Sequence, residues 1–332
     1  MSGSINRRKF LFNTALTAGG ACISSTILGS SLQKNVGETV LPESVKRAYN
    51  MYNIMREVKK YRKLDAHVHL SLGSDDLNVQ KKHAVVLFDY CDRLGVDKLY
   101  LSNPVTRIIN GMPDPRAESF VENNTMVLKI MKMHPDKFSG SFTFNPMHRK
   151  ESLEEIKRCV GEGMVGAKVY YQVKINDPLF YPLIEKMIDL KMIILMHAEA
   201  QIGVGGYRMK YNGNKPSNVS LPEDFADIAK RYPEAMFQFA HIGGGGDWEY
   251  MCKTLADSPN VYVDTSGSNN EEHMIDFALK TLGEDRLLFG SDNCYYQSVG
   301  KVLASSLTEV QKKKLFFDNF NNVLRRAGNN VH

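Results

Sequence analysis

Cysteine is scarce in this chain, and no two cysteines are spaced for metal or redox chemistry. The sequence of 332 residues contains 5 cysteines, and none of them forms a CxxC pair. Such a small number in a chain of this length provides no disulfide framework, and the absent CxxC pair argues against zinc-finger and thiol-redox proteins. Cys91, Cys159 and Cys252 fall within helical patterns among apolar neighbours. We therefore predict that these three are small core residues.

A strong excess of either charge is also missing. The formal net charge is +5, and the run Arg7-Arg8-Lys9 contributes to it in a segment that contains no acidic residue. Without that run the chain would carry only about +2. Nucleic-acid binding requires a markedly basic surface. We therefore expect a small-molecule substrate and no nucleic-acid partner; a homo-oligomer is compatible with this composition.

The sequence has no long uninterrupted apolar run. The stretch from Leu11 to Leu28 is broken by Asn, Thr and Gly, so it is too polar and too short for a membrane span. Because it follows Arg7-Arg8-Lys9, it is typical of a signal peptide, and its arginine pair resembles the twin-arginine export signal. We predict that residues 1–32 are this signal and that the protein is exported to the periplasm. Gly19 stands where a lipid-attachment signal has leucine, which disfavours a lipid anchor at Cys22.

From residue 63 onward, short apolar runs alternate with amphipathic helical patterns. This alternation, without a β-hairpin signal, predicts parallel strands joined by helical crossovers. Eight such units predict an α/β fold of the closed (β/α)8 TIM barrel type. A Gly-rich dinucleotide fingerprint after the first strand is absent, which disfavours a Rossmann fold. The predicted strands are Leu64–Leu70, Lys98–Ser102, Phe138–Asn145, Gly166–Tyr170, Met192–His197, Met236–His241, Val261–Thr265 and Leu287–Ser291.

The helical patterns fix the predicted domain boundaries. Residues 33–62 predict an N-terminal helical extension, residues 63–332 form the predicted barrel, and the Gly/Asn/Lys-rich loop 202–221 is a predicted lid. The predicted helices cover about 80–94, 118–133, 152–162, 180–190, 222–231, 247–256, 272–282 and 308–326.

Five polar residues stand at the carboxyl ends of predicted strands. His67 and His69 end the first strand, and their period of two places both imidazoles on one face. His197 ends the fifth strand, His241 the sixth, and Asp292 closes the eighth. The carboxyl ends of barrel strands form the face on which TIM-barrel active sites are built. We therefore predict that these side chains converge.

This set of residue types favours a metal site. Neutral imidazoles and a carboxylate suit one borderline divalent cation, zinc in the first place and manganese as the alternative. Three histidines and one aspartate leave a position open for water, whose pKa the metal would lower towards about 7. A histidine outside the ligand set, or the aspartate, would then act as general base.

At these residues the chain resembles the amidohydrolase superfamily, in the branch of aminocarboxymuconate-semialdehyde decarboxylase, related aromatic-acid decarboxylases and several lactonases. The resemblance implies one catalytic divalent metal held by His67, His69, His197 and Asp292, with His241 as a catalytic histidine. The motifs that carry the resemblance are Asp65-Ala66-His67-Val68-His69, His134-Pro135-Asp136-Lys137-Phe138, Gly163-Met164-Val165-Gly166-Ala167-Lys168, Met196-His197-Ala198, Ala240-His241-Ile242-Gly243-Gly244, Pro259-Asn260-Val261-Tyr262-Val263-Asp264-Thr265-Ser266 and Phe289-Gly290-Ser291-Asp292.

Lys168, near the end of the fourth strand, has two interpretations. In dinuclear members of the superfamily a lysine on this strand is carbamylated and bridges two metals, so a second metal would require carbamylation of Lys168. Alternatively, its amine binds a substrate carboxylate, since lysine is a good point-charge donor to anions. Asn103, Asn145 and Asn293 follow three other strands and are weaker candidates for substrate contact, because asparagine also favours turns.

Three functions remain open on the sequence. The main prediction is a metal-dependent hydrolase in which metal-activated water attacks a small amide, ester or lactone, with His241, Asp292 and Lys168 as catalytic residues. The alternative is a non-oxidative decarboxylase of an aromatic or unsaturated carboxylic acid. A catalytically silent barrel used as a binding module would be expected to lack a ligand residue, and none is missing here.

Overall fold

The computed structural model describes residues 54–104, 108–109, 112–113, 119–199, 218–242 and 246–332. The predicted signal peptide, Cys22, most of the helical extension and most of the predicted lid lie outside these residues. Within the described part of the chain, no helix is both long and apolar enough to span a membrane.

Eight parallel strands follow one another in chain order around a barrel, as predicted. Each strand is paired with the next, and the last is joined to the first by two backbone hydrogen bonds: Ala66 N–H donates to Phe289 O at 2.9 Å and Asp292 N–H to His67 O at 2.7 Å. The strands are β1 Lys63–His69, β2 Val96–Ser102, β3 Phe138–Phe142, β4 Gly166–Val169, β5 Ile193–Met196, β6 Met236–Phe239, β7 Val261–Asp264 and β8 Leu287–Leu288.

The helices connect these strands and cover the outside of the barrel. They are α1 Ile54–Lys60, α2 Leu77–Leu94, α3 Phe120–Met133, α4 Arg149–Gly161, α5 Tyr181–Leu190, α6 Pro222–Arg231, α7 Trp248–Thr254, α8 Met274–Leu282, α9 Tyr295–Ala304, α10 Glu309–Lys313 and α11 Asn319–Arg325. Cys91, Cys159 and Cys252 are buried in α2, α4 and α7, as predicted.

Three features differ from the sequence prediction. Helix α9 follows the turn after β8, where no helix was predicted. The predicted C-terminal helix is interrupted by a π-helical turn at Lys314–Asp318, which separates α10 from α11. A short antiparallel hairpin pairs Ile108–Ile109 with Met112–Pro113, although the sequence showed no hairpin signal.

Alternating residues divide each strand between two apolar layers. Leu99 and Leu101, for example, pack with the surrounding helices in the large outer core. Residues near the starts of the strands, among them Leu64, Ile193 and Met236, form a second cluster with Phe317, Phe320 and Leu324 from the C-terminal segment. This cluster fills the amino-terminal end of the barrel, and the buried histidines His67, His69 and His241 lie at the carboxyl end.

Candidate metal centre

The histidine pair at the end of β1 forms a compact cluster with Asp292, which follows β8. The ring nitrogens His67 Nε2 and His69 Nε2 lie 3.1 Å apart. The oxygen Asp292 Oδ1 lies 3.2 Å from His69 Nε2 and 3.6 Å from His67 Nε2. Ligand atoms about 2.1 Å from a tetrahedral ion are separated from one another by about 3.4 Å. The three atoms therefore have the spacing of ligands around one ion.

The hydrogen bonds on the far side of each ring determine which nitrogen is free. His67 Nδ1 lies 3.0 Å from Asp264 Oδ2, and His69 Nδ1 lies 2.8 Å from Ser102 Oγ. The Ser102 hydroxyl donates its own proton to a backbone carbonyl. The Asp264 carboxylate has no proton, and the Ser102 hydroxyl already donates its proton to the carbonyl. Both groups can therefore only accept a hydrogen bond from the imidazoles, so both rings carry their proton on Nδ1. Both Nε2 lone pairs consequently face the Asp292 carboxylate, and this donor set fits a divalent cation.

Lys168 lies on the interior of β4, directly beside this cluster. Its side chain is fully buried, and its Nζ lies 3.0 Å from His67 Nε2. Burial lowers the pKa of Lys168 to about 8, although the charges of Asp292 and Asp264 act against that shift. The amine is therefore still largely protonated near neutral pH, and it places a positive charge next to the candidate ligands.

His241 and His197 form the second half of the site. His241 Nε2 lies 3.0 Å from His197 Nδ1, and His241 Nδ1 lies 3.4 Å from Asp292 Oδ2. The His197 ring stacks on Tyr170 with a centroid distance of 4.7 Å. Among the described residues, His197 belongs to neither cluster of candidate ligands. The structure therefore joins His197 to the site through His241, and its predicted role as a ligand stays a prediction.

The protonation states suit metal binding. Burial lowers the pKa of His69 to about 4, and burial also lowers the pKa values of His197 and His241 below the ordinary histidine value. Burial acts to raise the pKa of Asp292, but the neighbouring imidazoles outweigh it and hold that pKa well below the usual carboxylate value. Neutral imidazole and ionised carboxylate are the forms that bind metals.

Asp264, at the end of β7, is a buried site residue to which the sequence analysis assigned no role. It joins His67 and His241 in a second cluster of candidate ligands. There His67 would use Nδ1, which is already hydrogen-bonded to the Asp264 carboxylate. The cluster of His67, His69 and Asp292, whose ring nitrogens are free, is therefore the better candidate for holding a metal ion. Asp264 could have been identified from the sequence by the same signal as the other site residues, because it is a polar residue at the end of a barrel strand.

Two predicted site residues lie beyond the regular strands, in strained backbone. β6 ends at Phe239 and β8 at Leu288, whereas His241 has φ 66°, Asp292 φ 46° and Asn293 φ 62°. Non-glycine residues adopt this left-handed region at a cost, and such positions concentrate at functional sites. Asn293 stabilises the turn, because its side chain accepts from His69 N–H at 3.0 Å and donates to His69 O at 3.1 Å.

Comparison with solved structures agrees with the barrel fold. One solved structure that shares the fold is 2,6-dihydroxybenzoate decarboxylase from Rhizobium, with 16% identity, a TM-score of 0.59, and coverage of 81% of this chain and 99% of that chain. A second is a dihydroxybenzoic acid decarboxylase from Polaromonas with bound manganese and the inhibitor 2-nitroresorcinol, with 18% identity, a TM-score of 0.58, and coverage of 80% of this chain and 97% of that chain. A third is 4-oxalomesaconate hydratase from Rhodopseudomonas palustris, with 18% identity, a TM-score of 0.57, and coverage of 80% of this chain and 96% of that chain.

The match to a family is more specific than this likeness of fold. No curated protein matches the chain significantly. The family model described as amidohydrolase, however, matches residues 65–317. That range contains His67, His69, His197, His241 and Asp292, together with all eight strands of the barrel except the first residues of β1. The chain therefore belongs to the amidohydrolase family.

Proposed function

We propose that this protein is a metal-dependent, non-oxidative decarboxylase of a small aromatic or unsaturated carboxylic acid. The observation that carries the proposal is the buried amine of Lys168, 3.0 Å from His67 Nε2. Among the described residues this amine contacts an imidazole rather than a carboxylate, so its charge is available to an anion. The structural neighbours include two decarboxylases of dihydroxybenzoic acids and 4-oxalomesaconate hydratase, which supports the same class of substrate.

The ligand set of the proposed metal is His67, His69 and Asp292, with His197 as the proposed fourth ligand. Zinc and manganese both suit imidazole and carboxylate ligands. When bound, the ion would supply Lewis-acid stabilisation of negative charge on the substrate.

Lys168 is the proposed substrate-binding residue, and His241 is the proposed proton-transfer residue. The Lys168 ammonium binds the carboxylate of the substrate and orients it towards the ligand cluster. The bond from the carboxylate to the carbon skeleton breaks, carbon dioxide leaves, and the electron pair stays on the carbon. That carbon must then receive a proton. We propose that His241 takes this proton up from water and passes it to the carbon, because the ring lies 3.4 Å from Asp292 at the mouth of the barrel.

Two buried asparagines that follow barrel strands have amide atoms without hydrogen-bond partners among the described residues. Asn103 follows β2 and Asn145 follows β3, and both are almost completely buried. Within the described part of the chain, both amide atoms of Asn103 and the Nδ2 of Asn145 lack hydrogen-bond partners. Buried polar atoms are nearly always paired, so we propose that these amides bind polar groups of the substrate.

Hydrolysis of a lactone, ester or amide is the second candidate. It is favoured by the Asp292 carboxylate, which lies between His69 and His241 and stays ionised because its pKa is low. Such a carboxylate beside a metal can accept a proton from an attacking water.

One experiment separates the two candidates. The protein is loaded with zinc or manganese and offered aromatic and muconate-like acids, then lactones, esters and amides, in ¹⁸O-water. We expect stoichiometric carbon dioxide from an acid. Incorporation of ¹⁸O into a product acid without carbon dioxide would instead identify a hydrolase.

Variants test the proposed roles. His67→Ala and Asp292→Ala should lose metal and activity together, whereas His241→Ala should keep the metal while the rate falls about 10²–10⁴-fold. His273→Ala is the matched control, because that side chain is 69% exposed and lies outside both ligand clusters of the described residues. Metal loss in His241→Ala as severe as in His67→Ala would move His241 into the ligand set.

A further inference from the structure

The Asp264 carboxylate accepts hydrogen bonds from groups on, or directly after, three strands of the barrel: β1, β6 and β7. Its Oδ1 accepts from the backbone N–H groups of His241 and Ser266, both at 3.1 Å. Its Oδ2 accepts from Gln238 Nε2 at 2.8 Å and lies 3.0 Å from His67 Nδ1. An ionised carboxylate has no proton to donate. Every polar atom that faces Asp264 must therefore be a donor.

The hydroxyl of Ser266 lies between this carboxylate and His241. Ser266 Oγ is 2.5 Å from Asp264 Oδ1 and 3.0 Å from His241 Nδ1. A hydroxyl has one proton, and the carboxylate can only accept it. Ser266 must consequently accept from His241, which requires a proton on His241 Nδ1. Asp292 Oδ2, 3.4 Å from the same nitrogen, is also an acceptor and agrees with this assignment.

We propose that Ser266 is a positioning residue that holds His241 with its proton on Nδ1 and its lone pair on Nε2. The lone pair on Nε2 then accepts from His197 Nδ1 at 3.0 Å, and Nε2 is the ring nitrogen of His241 that can take up a proton. The inference deepens the proposed function, in which His241 carries the proton. The position of the proton on the ring nevertheless follows from the contacts alone and holds for either reaction.

Ser102 provides a matched case within the same site. Its Oγ donates to the carbonyl of Val68 at 3.2 Å, so it must accept from His69 Nδ1 at 2.8 Å. Ser102 and Ser266 thus each fix the position of the proton on an imidazole ring in the same way, by accepting a hydrogen bond from Nδ1. His69 is a proposed ligand and His241 is not, so removal of each hydroxyl should have a different effect on metal binding.

The test is ¹⁵N NMR of the imidazoles in the metal-free, full-length protein. Two-bond proton–nitrogen correlations show which ring nitrogen carries the proton, and His241→Gln and His69→Gln identify the two sets of signals. We expect His241 with its proton on Nδ1 in the unmutated protein. Ser266→Ala should shift His241 towards a mixture of the two neutral forms and leave His69 unchanged, whereas Ser102→Ala should do the reverse.

Metal titration and kinetics complete the test. Ser102→Ala should weaken metal binding about 10–100-fold. Ser266→Ala should lower kcat about 10–100-fold and weaken metal binding less than Ser102→Ala does, because His67 Nδ1, 3.3 Å from Ser266 Oγ, keeps its shorter hydrogen bond to Asp264. A proton on Nε2 of His241 in the unmutated protein would overturn the proposal even if Ser266→Ala failed to fold. An unchanged His241 spectrum in folded Ser266→Ala would overturn it too. If the spectra agree but no acid is decarboxylated, the proposed reaction is wrong and the positioning role of Ser266 stands.

Discussion

Gly290 offers a direct test of how tightly the site is packed. A Cβ built at this position would lie 3.0 Å from the Cβ of His67, 3.0 Å from the Cβ of Asp264 and 3.2 Å from its Cγ. Those distances are shorter than ordinary van der Waals contact between carbon atoms. Gly290→Ala would therefore push a candidate ligand and the carboxylate that orients it away from their present positions.

The expected loss of stability is the balance of two effects. Overpacking of a close-packed interior typically costs about 1–3 kcal/mol. Replacing glycine by alanine raises the free energy of unfolding by about 0.4–1 kcal/mol, because the unfolded chain becomes less flexible. We expect a net loss of about 1–2 kcal/mol, and a fall in Tm of about 2–8 °C. Metal affinity should also fall, by about tenfold, since His67 is displaced.

Gly300→Ala is the matched control for this variant. Gly300 lies inside α9, and a Cβ there would meet no atom within 4 Å. That substitution should raise stability by about 0.5–1 kcal/mol, because alanine favours helix more than glycine does. Scanning calorimetry and metal titration of both variants provide the comparison. A Gly290→Ala protein with unchanged Tm and unchanged metal affinity would show that the packing argument is wrong.

Three further predictions concern parts of the chain away from the site. The Arg286 side chain donates hydrogen bonds to four backbone carbonyls at the ends of α7 and α8. Arg286→Met should therefore lower the free energy of unfolding, measured by urea titration, by about 3 kcal/mol or more. The control Arg93→Met, which removes a surface ion pair, should change that free energy by less than about 1 kcal/mol. Burial lowers the pKa of Lys63 to about 8. Between about pH 8 and pH 10.4 this amine therefore binds fewer protons in the folded chain than in the unfolded chain, and it contributes a rise in stability with pH. Lys63→Met should remove that contribution, and equal slopes of stability against pH for the two proteins would contradict the assignment. Replacing Arg7 and Arg8 by lysine should retain the precursor in the cytoplasm, as fractionation would show, if the twin-arginine signal directs export; an unchanged periplasmic yield would exclude that route.

The sequence predicted the barrel because hydrophobic alternation is a local property of each strand. The eight apolar runs all became strands, and the spacing of His67 and His69 correctly placed their rings side by side. The structure nevertheless shows register shifts within β1, between Asp65 and Val68. Such a shift depends on the pairing with β2, which cannot be recognised from the pattern of β1 alone.

The connections within the site were harder to predict than its members. Asp292 was expected to close a strand, but β8 ends at Leu288 and a left-handed turn carries the carboxylate to the site. Serine is common in loops, and the importance of Ser266 comes from its contacts with Asp264 and His241. Contacts of this kind depend on the closed barrel, so one-dimensional patterns cannot specify them.

The candidate ligands lie across the seam at which the barrel closes. β8 consists of two residues, and backbone hydrogen bonds from Ala66 and Asp292 join that end of the sheet to β1. An ion bound by His67, His69 and Asp292 would link the first strand to the turn after the last one, and so act as a crosslink over nearly the whole barrel sequence. Crosslinks that close long loops restrict the unfolded chain most strongly. Metal loading should therefore slow hydrogen exchange at the amides that open only when the whole barrel unfolds, and those of Ala66 and Asp292 at the seam should be among them.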